Sequence, residues 1–269
     1  MELNLNFLLK ATCLLIMALS FAIPKNSLAQ VKSEIFYQCA PCGCSSDEKK
    51  FKHSGDCPAC GMELNERTEP YGVVKSLDEP MNVAILLYAH VEVLDYAGPY
   101  DVFANAGEEN FNIYTVAETA SPVITFPNLS VNPQYTIANC PKPDILIIPG
   151  GMTSNVSQKT KNWIKENSKD ADYVFSVCTG AFILAEIGIL DGLEATTHSS
   201  GLSRLENKFT AINKVHSDKR YVDNGKVITS GGVSAGIDAS FYLISKILGE
   251  VNARAVANAI EYIYWNPVE

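Results

Sequence analysis

The chain reads as an α/β protein, a parallel sheet sandwiched between helices, preceded by a small cysteine-rich module. Three observations carry that reading. From residue 81 onward, short continuous apolar runs alternate with helical segments, the pattern of strands buried on both faces and joined by helical crossovers. Asn224-Gly225, set between two strand-like stretches, marks a hairpin at an edge of the sheet. Ahead of all this stand two C-x-x-C pairs, Cys39/Cys42 and Cys57/Cys60, with 14 residues between the inner cysteines.

Taken in order, the first segment reads as an export signal, residues 1–29. Residues 11–23 are apolar except for Thr12 and Ser20, and Ser27-Leu28-Ala29 supplies a small-x-small cleavage site before Gln30. The basic excess usual ahead of such a core is missing, since Glu2 offsets Lys10. The alternative is an uncleaved anchor, but the apolar stretch is short against the ~20 residues of a spanning helix. The expectation is a periplasmic or secreted protein with no integral membrane association after cleavage, and Cys13 leaves with the signal.

Residues 35–65 form the cysteine module. Two C-x-x-C knuckles at this separation bring four thiolates, from Cys39, Cys42, Cys57 and Cys60, toward the corners of a tetrahedron suited to a soft ion. Cys44 and His53 are possible substitutes for a ligand. Zinc is the first expectation and copper the second, and a site closed by four thiolates is structural rather than catalytic. The other reading is disulfide pairing in an oxidising compartment, which leaves one of five cysteines over. The ending resembles the short heavy-metal-binding domain of exported bacterial proteins, matched at Gly55, Cys57, Pro58, Cys60, Gly61, Met62 and Leu64. The opening Cys-Ala-Pro-Cys-Gly-Cys departs from that pattern. Residues 66–80 are polar, carry Pro70, Gly72 and Pro80, and read as a linker.

Residues 81–267 make up the α/β domain. Strands are expected at 82–88, 111–117, 144–148 and 173–177, helices at 98–106, 157–168, 179–187, 235–248 and 252–264. The apolar side of the last helix (Val256, Ala257, Ile260, Ile263, Tyr264) packs either on the sheet or on a second subunit. Cys140 is a loop thiol without an assigned role.

The chemistry is expected at Ser176-Val177-Cys178-Thr179-Gly180, where an apolar strand runs straight into a helix with a cysteine at the corner. Helix-start amides favour negative charge, so the thiolate of Cys178 is expected to be stabilised. Read alone, the same residue is equally a buried structural cysteine. Two further strand ends converge there: one carries Asp95, the other ends in Pro149-Gly150-Gly151, whose Gly151 amide is expected to join that of Thr179 in holding an oxyanion. His198 approaches from the following strand, though a lone histidine beside an apolar segment is more often structural.

Five ordered motifs, Leu94-Asp95-x-x-Gly98-Pro99-x-x-Val102-Phe103, Asp144-x-x-x-x-Pro149-Gly150-Gly151, Val177-Cys178-Thr179-Gly180-Ala181, Leu190-Asp191-Gly192 with Ala195-Thr196-Thr197-His198, and Thr229-Ser230-x-Gly232-Val233-x-Ala235-Gly236-Ile237-Asp238, resemble the ThiJ/PfpI superfamily, and within it the isonitrile-hydratase-like branch. The resemblance implies a flavodoxin-like, class I glutamine amidotransferase-like fold, with Cys178 as nucleophile, Asp95 as its acidic partner and Thr179 beside them. Protease-like members carry His after the cysteine; Thr179 stands there instead, which disfavours a Cys-His hydrolase.

The resemblance also implies a small-molecule substrate, a homodimer and no cofactor in the α/β domain. The function it implies is a hydratase or related hydrolase acting on a small electrophile. The rival is a non-enzymatic metal-binding or oxidative-stress-sensing protein.

Composition limits the remaining classes. Of 269 residues, 47% are hydrophobic and 19% charged, which belongs to a folded chain rather than a disordered or collagenous one. A net charge of -9 with no Lys/Arg-rich run argues against a nucleic-acid partner. A regulator that couples this domain to a helix-turn-helix module is likewise not expected, since no basic module follows the last helix.

Overall fold

The computed structural model describes residues 32–40, 42–46, 49–71, 77–263 and 265–266. The expected export signal and Tyr264 lie outside these residues.

The larger body is a curled mixed sheet of seven strands with flanking helices. Its elements are β3 (Met81–Leu86), α1 (Val93–Ala104), β4 (Phe111–Ala117), β7 (Tyr135–Thr136), β8 (Ile145–Ile148), α2 (Gln158–Asp170), β9 (Tyr173–Ser176), α3 (Gly180–Glu186), β12 (Tyr221–Asp223), β13 (Val227–Ser230), α5 (Ser234–Leu248) and α6 (Glu250–Ala259). The strand order is β12-β13-β9-β8-β3-β4-β7. All neighbours are parallel except the β12–β13 hairpin, whose turn is Asn224-Gly225, with Gly225 at φ 86°.

The central strands are apolar on both faces because helices cover both. Val83, Ile85 and Leu86 of β3 and all four residues of β8 have no exposed surface, and burying each such side chain contributes about 1.5–3 kcal/mol. Ser157 caps α2 by accepting the Thr160 amide at 3.1 Å. α1 packs on α5, and the contact is close because Gly98 offers no side chain: a Cβ there would lie 2.9 Å from the Ile237 side chain.

Several short elements escaped the sequence pattern. The pairs β5 (Val123–Ile124) with β6 (Ser130–Val131) and β10 (Glu194–Ala195) with β11 (Lys214–Val215) have two residues per strand, and a seven-residue helix, α4 (Leu202–Lys208), lies between β10 and β11. Two boundaries also move. α1 starts at Val93, five residues before the expected Gly98, and carries Pro99 inside it; a proline reads as a first-turn residue, yet here it merely removes one amide from an established ladder. The last helix spans Glu250–Ala259 rather than 252–264, and its Val256 and Ala257 are buried in the chain's own core.

Upstream, β1 (Lys32–Gln38) pairs antiparallel with β2 (Asn65–Tyr71) over seven residues. The first part of the expected linker is therefore a strand. Pro70 is tolerated because a two-stranded ribbon consists of edges.

Candidate active site and thiolate cluster

Cys178 occupies the corner between β9 and α3 at φ 57°, a left-handed conformation uncommon outside glycine and characteristic of strained functional turns. The surrounding main chain holds it there. Its amide is shared between the carbonyls of Ser230 (3.2 Å) and Gly231 (3.0 Å), and its carbonyl accepts the Thr197 hydroxyl at 2.7 Å. Gly180 is forced at the next turn, because a Cβ there would stand 2.0 Å from the Ile148 carbonyl oxygen.

Asp95, in the first turn of α1, meets this corner. It has no exposed surface, whereas Cys178 keeps 7%. Its Oδ2 accepts the Gly150 amide at 3.0 Å and its Oδ1 the Val233 amide at 3.1 Å, and the Cys178 sulfur lies beside the same carboxylate, near enough for each to shift the other's pKa. Burial raises the Asp95 pKa to about 6 against the pull of Cys178 and the two amides. Burial first, then the Asp95 charge, pushes Cys178 up to about 12, with the Thr179 amide opposing. Both groups are thus pushed toward their protonated forms, because desolvation beside an anion outweighs the start of a seven-residue helix.

The other expected residues fall around this pair. Thr179 Oγ1 accepts the Gly151 amide at 2.9 Å and donates to the Gly151 carbonyl at 3.0 Å. The Gly151 amide is therefore engaged by Thr179 rather than offered to an oxyanion, and the Thr179 amide faces the sulfur. His198 is held by Ser200, whose amide and hydroxyl reach Nδ1 at 3.2 and 2.8 Å. Its ring lies over Gly232, where a Cβ would be 2.2 Å from Cδ2. It packs beside the site and is not hydrogen-bonded to Cys178 or Asp95.

Two contributors were not expected. Tyr88, buried two residues past β3, donates its hydroxyl to the Pro149 carbonyl at 3.0 Å and pins the turn that presents Gly150. Val233, a β-branched residue at φ 51°, is strained in order to aim its amide at Asp95. The sequence places Gly232-Val233 just before a helix, but nothing local signals a partner 138 positions away. Val233→Gly is expected to raise folded stability by about 1 kcal/mol, the released strain exceeding the added chain entropy. A denaturant melt that shows destabilisation instead contradicts the strain.

The rim is apolar. Ile124, Phe126, Leu129 and Met152 are all exposed. The β5–β6 hairpin that carries the first three is tied down by main-chain bonds, Phe126 N to Val91 O (2.8 Å) and Val93 N to Phe126 O (3.2 Å).

In the module, Cys39, Cys44, Cys57 and Cys60 have sulfurs all within 4.8 Å of one another. The separations are 3.4 Å for Cys39–Cys60, 4.0 Å for Cys39–Cys44 and 3.8 Å for Cys44–Cys57. These exceed the ~2.05 Å of a disulfide and match the edge of about 3.8 Å of a tetrahedron built on metal–sulfur bonds of about 2.3 Å. Four cysteines thus stand where they can bind a metal ion. Cys44 takes a corner expected of Cys42, while Cys42 still lies 3.8 Å from Cys39 and 3.7 Å from Cys60. His53 is exposed and outside the cluster. Gly61 at φ 73° makes the second knuckle, with its amide on the Cys57 carbonyl at 2.8 Å.

Fold and corner together define an α/β protein built around a cysteine elbow with a buried acidic partner. The chain belongs to the DJ-1/PfpI family, whose model matches residues 81–247. It is 31% identical over 185 residues to isonitrile hydratase of Pseudomonas putida, covering 68% of this chain and 78% of that protein. It is also 22% identical over 197 residues to the HTH-type transcriptional regulator GbdR of Pseudomonas aeruginosa, of which it spans 53%. Among solved structures, a THiJ/PfpI family protein from Pseudomonas syringae superposes with a TM-score of 0.63 at 29% identity, covering 71% of this chain and 78% of that one. Drosophila melanogaster DJ-1beta shares the fold, with a TM-score of 0.60 at 18% identity over 68% of this chain and 98% of its own.

Proposed function

We propose that the chain is a cysteine-dependent hydratase for small electrophilic carbon compounds, isonitriles first among them, working outside the cytoplasm. The observation that carries the reading is a fully buried Asp95 carboxylate set against the Cys178 elbow, each group shifting the other's pKa. Similarity to isonitrile hydratase supports the substrate class, and the segment of residues 1–29 supports export.

The chemistry follows from that pair. Cys178 Sγ attacks the terminal carbon of the isonitrile as its proton passes to Asp95. Asp95 then delivers the proton to the same carbon, leaving a thioimidate bonded through sulfur. Water adds to this carbon with one proton going to nitrogen. As the carbonyl forms, the carbon–sulfur bond breaks, the hydroxyl proton returns through Asp95 to sulfur, and an N-substituted formamide departs. The Thr179 amide faces the charge that collects on sulfur.

Because Asp95 must be ionised to accept the proton, and its pKa is raised to about 6, kcat/KM for an isonitrile is expected to climb as pH rises through 6 and then level off. A profile that falls across the same range removes Asp95 as the base.

The sensing alternative is weaker at Cys178, since oxidants attack thiolates and burial beside Asp95 raises this thiol's pKa. We further propose a metal ion, zinc or copper, held by the module's thiolates, which would brace residues 35–65. Homodimer formation is proposed on family likeness and is read by sedimentation.

A further inference from the structure

Cys39 is buried at the centre of all five module sulfurs, and those sulfurs form two triangles that share it. The outer triangle is Cys39, Cys42 and Cys60, with edges of 3.8, 3.7 and 3.4 Å; Cys42 and Cys60 are exposed. The inner triangle is Cys39, Cys44 and Cys57, with edges of 4.0 and 3.8 Å and a third below 4.8 Å; here Cys57 is buried and Cys44 half-buried. A divalent ion that takes four thiolates uses one corner set and leaves Cys42 aside. A soft monovalent ion is satisfied by three thiolates in a plane, and thiolates select it.

We propose that the module takes up two monovalent soft metal ions, copper(I) in chemical class, one in each triangle with Cys39 bridging them. The inner ion is held by mostly buried sulfurs and is the retained one. The outer ion sits at the surface and is exchangeable, so the module can pass it to or receive it from another thiol ligand. Binding exchanges the thiol protons for the ions and leaves a net negative cluster, and Lys49, Lys50 and Lys52 follow Cys44 closely in the same module. The proposal rests on the metal reading of the module and is independent of the reactivity of Cys178.

The test uses the full chain with Cys13, Cys140 and Cys178 replaced by alanine. Under anaerobic conditions it is titrated with copper(I) against a chromophoric copper(I) chelator, and in parallel with zinc. Two copper ions per chain are expected, one surrendered at lower chelator concentration than the other, with a copper–copper path in X-ray absorption. Cys42→Ser is expected to retain one copper and to bind one zinc like the parent, which shows that its module still folds. One copper per chain in the parent, or two retained in Cys42→Ser, overturns the two-ion cluster while leaving the metal reading intact. Failure to bind either metal overturns both.

Discussion

Replacing Cys178 with serine is expected to lower kcat/KM by about 10⁴-fold or more on any substrate the parent turns over, because the attacking sulfur is removed and an alcohol beside a buried carboxylate remains a poor nucleophile. The fold should not follow. Serine is close in size, its amide can keep both carbonyl partners at Ser230 and Gly231, and the strained φ is set by the main chain around it. A thermal melt unchanged within a few degrees, alongside lost turnover, is the expected pair of results. A serine variant within tenfold of the parent would falsify covalent catalysis at this position.

Gly180→Ala should act through the fold instead. The added carbon would sit 2.0 Å from the Ile148 carbonyl oxygen, an atom of the sheet that has no rotamer to change. Either β8 or the elbow must shift by more than an ångström, which breaks the bond from the Val177 amide to that same carbonyl (3.0 Å). A loss of about 3 kcal/mol or more is expected. The melting temperature should fall by roughly 6–12 °C for a domain of this size. Gly192→Ala is the control: its φ of 74° strains any side chain, but nothing lies within 4 Å of the new carbon, so about 1–2 kcal/mol is expected. A loss at Gly180 no larger than that at Gly192 would mean that the elbow and β8 give way cheaply and the clash does not set the cost.

The legible parts of the sequence were those in which a local pattern and a global requirement coincide. β8 and β9 are continuous apolar runs because helices cover both faces, and the hairpin declares itself through Asn224-Gly225. The elbow was visible as a strand ending in a cysteine before a glycine. What stayed hidden depends on distance along the chain. The two-residue strands carry too little periodicity to register, and Pro99 imitates the start of a helix that in fact begins at Val93. The pKa of Cys178 is the most instructive case: local reasoning from the following helix lowers it, whereas burial and the approach of Asp95, both tertiary, push it up. Cys44 was secondary by spacing, and only the fold of the knuckles brings its sulfur alongside Cys57.

The apolar rim has a consequence for how such a site changes over generations. The β5–β6 hairpin is fastened ahead of α1 by amides and carbonyls, bonds that any residue except proline can make, while Ile124, Phe126 and Leu129 project into solvent. Substitutions at those three positions should cost little folding energy, on the order of 0.5 kcal/mol each. Asp95 and the main chain of Cys178, by contrast, are held by partners from distant parts of the chain. Under the proposed hydratase chemistry, selectivity for the organic group on a substrate would be free to drift at the hairpin while the reacting pair stays fixed, so that one scaffold could acquire new substrates without rebuilding its chemistry.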